Sequence, residues 1–90
     1  MPTYACSLEP TLHSNAANPT MIKFVNASAI TQKVYWLDYS GVRQLFATLL
    51  PGQSYVQGTF YTHPWVVTDS GNACRGIYFS SPDNSTAVLK

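Results

Sequence analysis

Five residues of this 90-residue chain have the types and spacing to build a recognition slot: Trp36, Phe46, Thr59, His63 and Trp65. Two indoles and a phenyl ring supply flat apolar walls, while a hydroxyl and an imidazole supply a hydrogen-bonding base. Trp36 and Phe46 are ten residues apart on what read as consecutive strands, so their faces can meet across a hairpin. His63-Pro64-Trp65 puts an imidazole at a strand start and an indole two residues on, pointing the same way. Thr59 falls in the connection just before it. Such a slot suits a ring-shaped ligand that carries a hydroxyl. The plainer alternative is core packing, the usual fate of Trp and Phe on a sandwich strand.

Catalysis has little to stand on. The four carboxylates, Glu9, Asp38, Asp69 and Asp83, belong to no motif. Glu9 lies in an irregular stretch, and Asp69 and Asp83 lie at turns, so a solvated surface is the expectation for them. There is no GxSxG elbow to present a serine nucleophile and no glycine-rich phosphate loop. Two histidines, His13 and His63, far apart in the chain, make a metal site at most two weak ligands. We expect a binding module with no cofactor and no metal, not an enzyme.

Composition narrows the partners. Charged residues make up 10% of the chain and the net charge is +1, with no Lys/Arg cluster, which argues against nucleic acid or acidic lipid as a partner. No apolar run approaches the ~18 residues of a membrane helix. The first fifteen residues lack the basic start and apolar stretch of a signal peptide, so secretion would require a signal already removed. Cys6 and Cys74 lie 68 residues apart, which excludes CxxC spacing. A disulfide between them would tie the N-terminal segment to the rest and would suit an extracellular setting. Two free thiols are the alternative.

The elements that must hold the slot are strands. Residues 1–19, punctuated by Pro2, Pro10 and Pro19, read as an extended arm held by Cys6. Alternating or apolar runs then fall at 21–25, 31–39, 42–49, 53–57, 64–68, 76–79 and 87–89, separated by turn signals such as Ser40-Gly41 and Pro51-Gly52. In the second run, Val34, Trp36 and Asp38 share one face, and Tyr35, Leu37 and Tyr39 the other. Six or seven short strands at regular spacing with no helical stripe predict an all-β antiparallel sandwich over residues 20–90. Two Asn-X-Ser/Thr sequons occur, at Asn26 and Asn84. Asn26 is better read as a residue satisfying backbone groups at a strand end.

Over residues 22–71 the chain resembles the β-domain of the von Hippel–Lindau tumour suppressor family, essentially without gaps. The landmarks are Phe24, Asn26 and Ser28, then Val34-Tyr35-Trp36-Leu37 and Gly41. Thr48-Leu49, Pro51-Gly52, Thr59, His63, Trp65, Asp69 and Gly71 follow in step, and Gly76-Ile77-Tyr78-Phe79 continues the likeness. The resemblance implies a seven-stranded antiparallel β-sandwich that takes 4-hydroxyproline from an extended peptide into an aromatic pocket. Trp36 and Trp65 match its walls, His63 matches the histidine that bonds the hydroxyl, and Asn26 matches a structural asparagine. Thr59 stands where the family has a serine, and Phe46 where it has a tyrosine, losing one phenolic hydrogen bond. An unmodified proline is expected to leave Thr59 and His63 both unsatisfied. The family's helical domain, which recruits a ubiquitin-ligase adaptor, has no counterpart in these residues, so no adaptor binding is expected. The expected partner is a hydroxyproline-containing protein, collagen-like or cell-wall-like, bound by a monomer outside the cell. The alternatives are a pocket that has drifted to proline, a glycan or another peptide, and a purely structural domain.

Overall fold

In Pro19–Asn26 (β1), Thr20, Ile22, Phe24 and Asn26 are buried while Met21 and Lys23 are exposed, the two-residue period of a strand with one dry face. The computed structural model describes residues 2–15 and 18–90. Among them six further strands follow: β2 (Gln32–Leu37), β3 (Arg43–Leu49), β4 (Ser54–Phe60), β5 (Pro64–Asp69), β6 (Cys74–Phe79) and β7 (Ser85–Leu89). They form a three-stranded sheet ordered β4-β1-β7 and a four-stranded sheet ordered β3-β2-β5-β6. This is the expected all-β sandwich. Its pairings are antiparallel except one: β7 lies parallel to β1, with Ile22 opposite Ser85 and Asn26 opposite Leu89.

Ile22, Phe24, Val34, Trp65 and Leu89 pack between the sheets, each at most 2% exposed. Burying such a side chain is worth roughly 1.5–3 kcal/mol. In β5, residues 64–68 are all buried, because this strand is covered on both faces. Trp65 and Val67 face the opposite sheet, while Val66 joins Leu37 and Ile77 in a second cluster on the other side.

The N-terminal arm covers that second cluster, with Leu12 packed against it. Cys6–Thr11 forms a short 3-10 helix, so the arm is not extended throughout. Met1, Ala16 and Ala17 of the expected 1–19 arm lie outside the described residues. Cys6 and Cys74 form the disulfide, with Cα atoms 5.9 Å apart. Tyr4 pairs with Ile77 through backbone bonds of 2.7 and 3.1 Å, which covers the free edge of β6. Gly41 serves the arm as well: its φ is +76°, and a Cβ there would come 2.8 Å from the Leu12 carbonyl oxygen.

Glu9 is not the free surface carboxylate expected. Its two oxygens accept from Arg43 Nε and Nη2, each at 2.7 Å, a bidentate pair that fastens the arm to β3. The Arg43 hydrogen bond holds the Glu9 carboxyl below its ordinary value of 4.5. Asp38 is also held below its ordinary 3.8, first by the Val42 N–H, then by the Gln44 amide and the Ser40 N–H. A carboxylate with a lowered folded-state value stabilises the protein above its unfolded value, and that stability is lost as pH falls through the folded value. The melting temperature should therefore change little from neutrality to about pH 5, then fall below about pH 4.5. Glu9→Gln should flatten part of that fall, as thermal melts across the range would show. Both groups are solvent-facing, so the effect is modest.

Candidate functional site

The structure brings the five expected residues together. A cleft of about 170 Å³ is lined by Trp36, Phe46, Thr59, His63 and Trp65, with Tyr39, Gly58 and Phe60 at its margins. Trp36 and Trp65 are direct partners across β2 and β5, so both indoles project from one face of the sheet.

Phe46 arrives there by a bulge. Val34 pairs with Ala47, but the next residue, Tyr35, pairs with Leu45, so Phe46 is the extra residue of β3. Strict alternation from Ala47 would turn the phenyl ring away from the indoles. The bulge keeps it on their side, edge-on to Trp65 at 5.2 Å and to Trp36 at 6.1 Å between ring centroids. The ring remains 49% exposed, so it forms the rim and not the floor.

Thr59 lies inside β4 and not in a connection as expected, because pairing of β4 with β1 continues through Pro19 and Phe60. Its Oγ1 accepts a hydrogen bond of 3.0 Å from Trp65 Nε1, which joins the two sheets at the pocket floor. The hydroxyl proton of Thr59 has no acceptor among the described residues and is free for a ligand.

His63 is 3% exposed and stacks on Trp36 with 5.6 Å between ring centroids. Trp36 Nε1 donates to His63 Nδ1 at 3.1 Å. An indole nitrogen can only donate, so Nδ1 accepts and the proton of the neutral ring sits on Nε2. From there it is donated to the Asn15 carbonyl oxygen at 2.9 Å. Both ring nitrogens are thus occupied without a ligand. The expectation that proline would leave this imidazole unsatisfied is corrected: the unmet polar group of the cleft is the Thr59 hydroxyl.

Tyr39 and Phe60 were missed from sequence. Tyr39 was placed on the face opposite Trp36, but β2 ends at Leu37. Asp38 Oδ1 accepts from the backbone N–H of Ser40 and Val42, which makes a turn that swings Tyr39 back. Its ring stands edge-on to Trp36 at 5.7 Å and to His63 at 5.8 Å. An Asp two residues ahead of Ser40-Gly41 was the available signal.

Among the described residues there is no group of three His, Cys, Asp or Glu side chains placed to hold a metal. A model of the VHL beta domain matches residues 11–75. The chain belongs to that family. Comparison with curated proteins finds no match. Membership in the VHL β-domain family supports a protein-binding domain in general terms, and the matched residues include the whole cleft. The Cys6–Cys74 disulfide of this VHL β-domain is compatible with an oxidising, extracellular location.

The floor of the cleft carries a direct prediction. Thr59→Ala should leave the Trp65 N–H buried without a partner, at a cost of about 1–3 kcal/mol. Thr59→Ser keeps the oxygen and should cost less than about 1 kcal/mol. Urea denaturation separates the two, and equal losses would contradict the hydrogen bond.

Proposed function

We propose that this domain is a non-catalytic module that binds a hydroxyproline-containing protein, taking the hydroxylated ring into the aromatic cleft. The observation that carries the reading is the Thr59 hydroxyl: a free donor, 6% exposed, beneath walls formed by Trp36, Phe46 and Trp65. Small-molecule sites usually enclose roughly 300–1,000 Å³. A cleft of about 170 Å³ suits one ring-sized side chain better than a free metabolite or a cofactor. The lining includes no Asp, Glu, Lys or Arg, in keeping with a neutral ring. A collagen-like or cell-wall-like partner outside the cell fits both this neutrality and the disulfide. The ubiquitin-ligase adaptor is not part of the proposal.

The ligand hydroxyl accepts from Thr59 and competes with Trp36 for the His63 Nδ1 lone pair. Because His63 is already bonded, the gain over proline is about one hydrogen bond, roughly 0.5–1.5 kcal/mol. That corresponds to a preference of about 2- to 12-fold. Isothermal calorimetry with matched 4-hydroxyproline and proline peptides should show this preference at modest affinity. Phe46→Tyr, which restores a phenolic hydroxyl at the rim, should tighten binding by a similar factor. Equal affinities would favour the second reading, a cleft drifted to plain proline, for which the missing phenol at Phe46 speaks. No binding at millimolar peptide would leave the aromatics as packing alone.

A further inference from the structure

We infer that the disulfide-anchored N-terminal arm is a positioning element of the cleft, and that it acts by fixing the tautomer and orientation of His63. The ligand part of this inference rests on the function proposed above; the positioning part does not.

The Asn15 carbonyl is the acceptor for His63 Nε2. That bond and the Trp36 N–H at Nδ1 together hold the ring proton on Nε2, and Asn15 keeps the ring turned so that Nδ1 faces Trp36 and the cleft. A ring released from Asn15 can rotate away from Trp36, and only then is the second tautomer open to it. In the other tautomer Nδ1 would carry hydrogen. Two donors would then face each other at Trp36, and the cleft would hold no imidazole acceptor for a hydroxyl. A carbonyl sets a tautomer only if it is held still. Asn15 itself is exposed, but its neighbour Ser14 is buried. The Ser14 N–H donates to the Asp38 carbonyl at 3.0 Å, and its hydroxyl donates to the Leu37 carbonyl. Further back along the arm, Glu9 grips Arg43 and Cys6 is bonded to Cys74. These anchors fall on β2, β3 and β6, all in the sheet that carries Trp36 and Trp65. The arm is therefore a strap across the outer face of that sheet. From this strap Asn15 reaches the cleft from behind.

The titratable and charged groups facing His63 do not compete for this role. Its ring neighbours are Trp36, Tyr39 and Phe60, none of which accepts from Nε2.

Long-range proton–nitrogen correlation spectra of histidine side chains read the tautomer directly. The disulfide-bonded protein should show His63 in the Nε2–H form alone. The double variant Cys6→Ser/Cys74→Ser, studied below its melting temperature, should show a mixture of the two tautomers. Its preference for hydroxyproline over proline peptide should fall measurably but stay above unity, because the Thr59 donor remains, with proline affinity changed less than twofold. Should that variant fail to fold, Ser14→Ala keeps the disulfide and loosens only the segment next to Asn15. It should shift the tautomer the same way, and Ser14→Thr should restore it. An unchanged single tautomer in a folded Cys6→Ser/Cys74→Ser protein, or in Ser14→Ala, overturns the inference. A shifted tautomer in a protein that never distinguished the two peptides supports the positioning role and refutes the proposed ligand.

Discussion

Replacing Cys6 and Cys74 by serine is expected to lower stability by about 4 kcal/mol, from the loop-closure entropy of a bridge spanning 68 residues. Stability for a domain of this size is typically roughly 5–15 kcal/mol. The loss is therefore a large share of the total and should lower the melting temperature by more than about 10 °C. The arm's other holds are weaker. The Glu9–Arg43 pair is only partly buried, and ion pairs open to solvent are worth about 0–1 kcal/mol. Calorimetric melts of the wild type with and without a thiol reductant should reproduce the variant's loss. A melting temperature unmoved by reduction would mean that arm packing at Leu12 and Tyr4, and not the covalent link, holds this layer.

Asn26→Ala is expected to be among the most damaging polar truncations in the domain. The side chain is fully buried at the end of β1. Its Nδ2 donates to the Ile30 and Leu49 carbonyls at 2.8 and 2.9 Å. Its Oδ1 accepts from the Ser28 N–H, the Ser28 hydroxyl and Gln32 Nε2. Alanine would take the Asn26 amide from the Leu49 carbonyl and remove one of the two acceptors of the Gln32 amide, which is itself 1% exposed and keeps Ser28 Oγ at 2.9 Å. Each buried group left unpaired costs about 1–3 kcal/mol, so a loss of roughly 3–5 kcal/mol is expected. Urea unfolding with an unchanged slope would measure it; a loss below about 1 kcal/mol would show that water enters and replaces the amide. The same burial removes Asn26 as a glycan acceptor, whereas Asn84, in the second sequon, is exposed.

Much of this architecture was legible because burial follows chemistry with period two. The alternation in β1, the apolar run of β5 and the turns at Ser40-Gly41 and Pro51-Gly52 located the strands to within a few residues. The five cleft residues were legible through spacing and the family resemblance together: Trp36 and Trp65 reach the cleft by regular strand geometry, while Thr59 reaches it from within β4 and not from the connection expected. What stayed hidden depends on departures from regularity or on contacts distant in sequence. The bulge at Phe46 is one extra residue, and a periodicity count cannot assign it a place. Tyr39 was assigned to the wrong face because the Asp38 turn ends the strand two residues early. Pairing of Glu9 with Arg43, and of His63 with the Asn15 carbonyl, needs the arm laid across a finished sheet. The parallel partnership of β7 with β1 depends on which sheet the last strand joins, and local pattern carries no information about that.

That partnership bears on how the chain reaches its native state. β1 is the middle strand of its sheet, and one of its two neighbours consists of residues 85–89. The smaller sheet cannot close until the segment after β6 has returned to meet the segment before β2, a contact of very high sequence separation. Loop closure over such distances is what slows β-sandwiches to milliseconds or seconds, compared with microseconds for helical bundles. Until then β1 presents a row of unpaired backbone N–H and C=O groups, a template for pairing with another chain. The Cys6–Cys74 link ties the segment before β1 to the start of β6, which shortens the loop that β7 must close to reach β1. Catalysed disulfide formation should therefore shorten this exposed interval during synthesis, and raise the yield of soluble protein as well as its final stability.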